Sequence, residues 1–394
     1  MKNFFRPYAT FLRLPDVTAT LVMAWFARLP IGMTALAMLL FLRETLGNYQ
    51  SAGALVGIYF LAIAGGAPFM GRIVDRKGPR RLLIVTGLLQ PSLVLALFFA
   101  ARMHVGHSGL VAIAAVAGAF SPPITTLTRT VWRHRFESDV DRRMAFSVDS
   151  VFVELNFTVG PSLVAIFIAM FGASTTFLIA VAVMYLSPWI YLRSPALKYW
   201  RQEPHGERHP LGPLTDLSLV SLFVITLGLC LCFGLMEVGY PAYATSIQLT
   251  AFGGWLLAIN SVGSAIGGAL YGGLHLRISV ERQFSWLLAL IALPLALHGY
   301  VDQTWLFAVV AFFAGAAIAP AIAAQNLLVS RMAPAKYATE AFTWSSTFIV
   351  CGLGAGMALG GAMAEQMSAK APFLLGSAIA LAMAVAARLL LKRS

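Results

Sequence analysis

From Val17 onward the sequence is a succession of apolar runs, each about as long as a bilayer is thick. They fall near 17–42, 48–73, 82–102, 108–131, 143–170, 172–193, 216–246, 250–273, 283–302, 304–330, 338–366 and 370–391. A helix crossing the hydrocarbon layer needs roughly 20 mostly apolar residues. Backbone in lipid must satisfy its own hydrogen bonds, which a helix does internally. Twelve such runs predict an all-α membrane protein with twelve transmembrane helices. Only 11% of the residues are charged, against about 25% in soluble domains, so a soluble enzyme, a disordered chain and a coiled coil are excluded. No cleavable signal is expected, because Ala24-Trp25-Phe26-Ala27-Arg28 continues into a full-length span.

The net charge of +12 reads as topology rather than nucleic-acid binding. With the N-terminus placed in the cytoplasm, Arg43, Arg102 and Lys370 fall outside and Arg28 lies within a span. The other 24 of the 28 lysines and arginines, Arg129 among them, fall on cytoplasmic segments. Such asymmetry places both termini inside. The segment 194–214, polar and broken by prolines, reads as a cytoplasmic linker between an N-terminal six-helix bundle at 1–193 and a C-terminal one at 215–394. Cys230, Cys232 and Cys351 lie in apolar runs and read as packing residues, with no disulfide or metal site.

The halves repeat weakly. Ala145-Phe146-Ser147 matches Ala341-Phe342-Thr343, and Gly160 falls on Gly356, at an offset of 196 residues. Ala117-Gly118-Ala119 and Pro123 match Ala314-Gly315-Ala316 and Pro320 at 197. Gly53, Gly66, Gly71 and Arg76 fall on Gly254, Gly267, Gly272 and Arg277 at 201. Parallel repeats of this kind carry a midplane site that opens alternately to the two sides.

Between the second and third runs stands Gly71-Arg72-Ile73-Val74-Asp75-Arg76-Lys77-Gly78-Pro79-Arg80-Arg81. Gly71 permits close helix approach, Gly78 turns the chain, and Pro79 suits the first turn of a helix. This stretch closely resembles the helix 2–3 loop signature of the major facilitator superfamily, departing only at Pro79, where arginine is usual. The resemblance implies the major facilitator fold, two six-helix bundles related by a pseudo-twofold axis. It also implies a conformational latch of Gly71, Asp75, Arg76, Gly78 and Arg80, in which Asp75 meets the N-terminus of helix 11; a carboxylate is favourable there. The second half has Leu276 where Asp75 would fall, so the latch is one-sided. In the fifth run Asn156-Phe157-Thr158-Val159-Gly160-Pro161 is similar to part of the antiporter motif of family exporters, and Gly352, Gly356 and Gly360 look like its counterpart in the eleventh. The bland reading of Gly160, Pro161 and these glycines is close helix packing, which is compatible with the resemblance.

Charged residues within spans are costly and usually functional. Arg28 and Glu154 lie at similar depth in the first and fifth runs, as a buried ion pair or as part of a substrate or proton path. Asp149 is expected to pair with Arg142 or Arg143. Glu237, in the seventh run, has no basic residue at its depth and reads as the proton carrier. In the family, helices 1, 4, 7 and 10 line the cavity, which implies Trp25, Arg28, Thr125, Phe233, Glu237, Tyr240, Gln325 and Asn326 as wall residues. Aromatic walls with a few polar groups suit an amphipathic organic molecule. His104, His107 and His298 are expected to be solvated at outer ends. No Gly-rich loop ends in Gly-Lys-Ser or Gly-Lys-Thr, so a nucleotide-driven pump is not supported.

These features predict a monomeric secondary transporter of the bacterial inner membrane, with no cofactor. It would move a small molecule by alternating access, as proton-coupled efflux. A sugar or metabolite transporter and a lipid flippase of the same fold are the alternatives. A membrane-embedded enzyme would need a cluster of reactive groups, and the only candidate, Glu137, Asp139 and Asp141, reads better as a solvated loop.

Overall fold

The computed structural model describes residues 8–47, 49–201, 211–249, 252–274 and 276–391. Among the described residues the regular elements are α-helices and short 3-10 turns. The first bundle contains α1 (Pro15–Leu46), α2 (Tyr49–Lys77), α3 (Pro79–Arg102), α4 (His107–Ala119), α5 (Ile124–Arg135) and α6 (Asp139–Leu192). The second contains α7 (Leu217–Ser246), α8 (Phe252–Gly273), α9 (Val280–His298), α10 (Thr304–Ala316), α11 (Ile318–Met332), α12 (Ala338–Gln366) and α13 (Ala371–Leu390).

Among the described residues, eleven helices are long and apolar enough to cross a membrane, with α4–α5 and α10–α11 each counting as one. α6 crosses twice. At Gly172 the backbone takes φ 78° and ψ 169°, a left-handed conformation open to glycine. No atom lies within 4 Å of where its Cβ would stand, so the backbone angle rather than crowding calls for glycine. The two arms return to the same place on α1: Asp149 bonds Arg28, and the Ser187 hydroxyl donates to the Ala27 carbonyl. This hairpin brings the number of passes to twelve.

The α4–α5 crossing breaks at Ser121-Pro122-Pro123. Proline lacks the backbone donor and disfavours helix at the residue before it. The equivalent crossing breaks more mildly at Ala317 (φ −97°, ψ −5°).

The repeat seen in the sequence recurs as packing. A Cβ on Gly66 would lie 2.5 Å from the Ala119 oxygen, and one on Gly267 1.8 Å from the Ala316 oxygen. Gly118 faces the carbonyl of Tyr59 as Gly315 faces that of Asn260. Each second pair stands 201 and 197 residues further along the chain. The two bundles therefore repeat the same backbone-to-backbone helix crossings.

Phe41, Phe98 and Phe177 stack in the first bundle, with centroids 4.7 and 4.9 Å from Phe41. In the second, Tyr240, His298, Phe307 and Phe373 pack together, His298 stacking on Phe373 at 4.6 Å. His298 is fully buried rather than solvated, with Nδ1 2.8 Å from the Pro294 carbonyl oxygen. Cys230 and Cys232 pack inside, whereas Cys351 is exposed. Phe69, Met170, Trp255, Trp286 and Trp305 are exposed, an apolar surface of the kind a bilayer covers.

Candidate transport site

A cavity of about 280 Å³ opens between the helices of the first bundle and is closed on one side by Ser346, Ile349 and Val350 of α12. Its walls come from α1, α2, α3, the break before α5, α5 itself and both arms of α6. Most of the lining is apolar. Among the described residues, its charged lining groups are Arg28 and Arg129.

Arg28 is 1% exposed, and its Nη1 donates to Asp149 Oδ1 at 2.8 Å. Among the described residues its Nε and Nη2 have no hydrogen-bond partner. This corrects the expected pairing, since Asp149 meets Arg28 rather than a loop arginine. Arg142 instead donates to the Phe136 carbonyl, and Arg143 to that of Leu274. The side chain of Glu154 lies outside the described residues. α6 begins at Asp139 behind the Ser138 cap, which accepts from the Val140 N–H, four residues before the apolar run starts. Depth counted from the first apolar residue therefore assigns Arg28 to Glu154. Counted from the helix starts at Pro15 and Asp139, Asp149 and Glu154 both fall within about one turn of the depth of Arg28, so depth does not select between them, and the Asp149 bond is a matter of packing.

Arg129 was expected on a cytoplasmic segment. It is 95% buried (5% exposed) in α5, its Nε unpartnered among the described residues, close enough to Arg28 and Asp149 to feel both charges. Its signal was readable: Thr125, expected on the cavity wall, lies four residues earlier, and residues i and i+4 share a helix face. Thr125 does line the cavity, as do Tyr59, Gln90 and Asn156, which sequence reasoning missed. Gln90 Nε2 donates to the Tyr59 hydroxyl at 2.8 Å.

The other expected wall residues lie away from this cavity. Tyr240 is fully buried among aromatics, its hydroxyl accepting from Asn260 Nδ2 at 3.3 Å. Gln325 and Asn326 are buried in α11, and Gln325 Nε2 donates to Ser345 Oγ at 2.7 Å. Trp25 and Phe233 are half-buried; Trp25 packs on Phe26 at 4.9 Å. Glu237 is exposed on α7, about 140° around the helix from Cys232, whose thiol reaches the Gly376 carbonyl in α13. Among the described residues it forms no ion pair.

At the end of the molecule that carries the basic loops, the bundles are joined by polar contacts. Asp75 accepts from the backbone N–H groups of Thr339 (3.1 Å) and Glu340 (2.9 Å) in the first turn of α12. Gly71 makes room for this approach: its Cβ would stand 3.0 Å from Glu340 Cα and closer still to the Thr343 side chain. Gly78 turns the chain at φ 79°, ahead of Pro79 at the first turn of α3. Arg76 and Arg80 are exposed. The ion pair across the seam is made by Arg72, whose Nη2 donates to Glu340 Oε1 at 2.7 Å. Glu340, which sequence reasoning missed, is fully buried, and Gly212 beside it leaves no space for a Cβ against its carboxylate.

The second seam lacks an acidic counterpart. There Arg143 donates to the Leu274 carbonyl at 3.2 Å, and Gly272 faces Ser147 as Gly71 faces Thr343. Arg133 donates to the Ala333 carbonyl, and Arg331 pairs with Asp139, one member of the acidic cluster expected in a loop.

The motif glycines also stand at close helix crossings. Cβ atoms on Gly352 and Gly356 would lie 2.3 and 2.1 Å from the carbonyl oxygens of Leu227 and Leu231. Gly160 meets Gly32 in the same manner, with Pro161 following within α6, while a Cβ on Gly360 would stand 3.3 Å from the Val238 Cβ, a milder squeeze.

Twelve passes in two related bundles, joined at one end around a charged cavity, define a membrane transporter. The sequence profile described as Major Facilitator Superfamily matches residues 20–253 and 250–394, and the chain belongs to that family. It is 26% identical over 358 residues to a multidrug resistance protein MdtG of Dickeya zeae, covering 87% of this chain and 85% of that protein. It is 24% identical over 343 residues to the protein of the same name in Yersinia enterocolitica, covering 84% and 80%. In fold it is similar to a bacterial homologue of the iron transporter ferroportin in an outward-facing state, with a TM-score of 0.73 over 96% of this chain and 98% of that one. At 15% identity this likeness concerns the fold alone.

Proposed function

We propose that this chain is a secondary active transporter that exports a small amphipathic organic compound across the bacterial cytoplasmic membrane by alternating access, with protons moving inward. The observation that carries this reading is the pairing of a charged cavity with a seam of separable polar contacts at one end, Asp75 to α12 above all. Hydrogen bonds and ion pairs at a partly wetted end can exchange for water as a bundle rocks, whereas the glycine crossings inside each bundle hold it rigid. The multidrug resistance relatives support export.

The proposed units are a monomer's N-terminal bundle at 1–193, a linker at 194–214 and a C-terminal bundle at 215–394. The proposed orientation places both termini and the basic end in the cytoplasm, so the closed seam makes this the outward-facing state. Glu237 is the proposed proton carrier: an exposed carboxylate on α7, three residues ahead of Tyr240 and four ahead of Pro241. Arg28, Asp149 and Arg129 form the proposed substrate pole.

Everted vesicles containing the protein test the reading. Accumulation of an amphipathic dye on imposing an inside-acid gradient, abolished by collapsing it, is the expected result. Accumulation indifferent to the gradient would point to facilitated diffusion, and lipid transbilayer movement alone to a flippase.

A further inference from the structure

We propose that the cavity of the first bundle selects an amphipathic organic anion, its acid group held by Arg129 and the open edge of Arg28 and its hydrocarbon body by the apolar wall. This rests on the transport reading for its purpose but not for its chemistry. A guanidinium removed from water is costly unless an anion and hydrogen-bond acceptors replace the water it loses. Here two guanidiniums line one largely apolar cavity. Among the described residues, the one carboxylate bonded to either is Asp149, engaged with Arg28 Nη1.

Arg129 forms no hydrogen bond or ion pair among the described residues, although it is 95% buried (5% exposed). Among the described residues Arg28 keeps Nε and Nη2 unpartnered, which is the geometry of a guanidinium edge left for a second acceptor. A planar guanidinium presents parallel N–H groups that match a carboxylate two-to-two. The rest of the cavity suits the other end of such a molecule. Ile31, Phe60, Ile63, Met184, Ile349 and Val350 supply apolar wall, and about 280 Å³ accommodates a fused bicyclic ring. A cationic amphipath would instead place its charge against two like charges.

Binding to the purified full-length chain in nanodiscs tests this with three probes that differ only in the head group: 2-naphthoate, 2-naphthalenemethanol and 2-naphthylmethylammonium. Naphthoate should bind at least tenfold more tightly than the alcohol, and the ammonium most weakly. Arg129→Gln should erase the difference between acid and alcohol while leaving alcohol affinity within about twofold, and Arg129→Lys should restore part of it. Equal affinities, undetectable naphthoate binding, or an acid preference that survives Arg129→Gln in folded protein would overturn the proposal. The head-group series on the unaltered chain decides the matter even if both variants misfold. Acid-selective binding without vesicle transport would sink the transport reading alone. Gradient-driven transport of the ammonium probe without naphthoate binding would sink this one alone.

Discussion

Gly32 and Gly160 meet backbone to backbone: a Cβ on Gly160 would lie 2.6 Å from the Gly32 carbonyl carbon, and one on Gly32 2.2 Å from the Asn156 oxygen. Gly234 and Gly356 stand in the same relation in the second bundle. Neither side of such a crossing can yield by rotating a side chain. Gly32→Ala and Gly356→Ala should each destabilise the protein by about 1–3 kcal/mol. Gly361→Ala, in the same helix as Gly356 but facing open space, should be neutral or stabilise by up to about 1 kcal/mol. Thermal unfolding of the purified variants checks the contrast, and three equal melting temperatures would refute it.

The Arg28–Asp149 pair lies beside Arg129, so its two ends are not equivalent. Asp149→Asn leaves two guanidiniums facing each other in a buried site, whereas Arg28→Met leaves Asp149 with Arg129 nearby. Breaking a buried pair costs about 3–5 kcal/mol, and Asp149→Asn should be the worse of the two. The double variant should recover part of the folded yield. Additive losses, measured by size-exclusion profiles, would mean the two residues act separately.

Asp75 places its carboxylate on the first turn of α12, where the helix dipole and two N–H groups favour the charge. Asp75→Asn should weaken this contact by on the order of 1 kcal/mol. Glu340→Gln should loosen the same seam by removing the partner of Arg72. Spin labels on the basic ends of α2 and α12 should then report longer distances. Unchanged distances in both variants would show that other contacts hold the seam.

Glu237 as proton carrier predicts a split phenotype. Glu237→Gln should lose transport driven by a pH gradient yet retain substrate exchange across the membrane, followed with labelled substrate. Joint loss of exchange and binding would make the residue a substrate ligand instead.

The proposed orientation is checked by reporters. Fusions after Ser394 and within 201–208 should both be active only in the cytoplasm; a periplasmic signal from either would reverse or break the topology.

The twelve passes were legible because hydropathy is a property of a continuous stretch of chain. The turn at Gly78-Pro79 was legible because glycine and proline act on their own backbone, whereas the breaks at Ser121-Pro122-Pro123 and Ala317 fall inside runs that hydropathy reads as continuous. The bundle repeat was legible because close crossings demand small residues, and Gly66, Gly118, Gly267 and Gly315 keep their spacing. Asp75 at the start of α12 followed from a motif resemblance rather than from hydropathy.

Tertiary structure alone decided which buried charge meets which. Asp149 bonds Arg28 across α1 and α6, a pairing set by how the two helices are rotated against each other. Arg129 turns inward, Tyr240 and His298 disappear into an aromatic cluster, and Glu340 closes over Gly212, because each depends on how neighbouring helices are rotated. A run of apolar residues sets that a helix crosses the bilayer. Its rotation and depth are set by the shapes it packs against, which a single span does not contain.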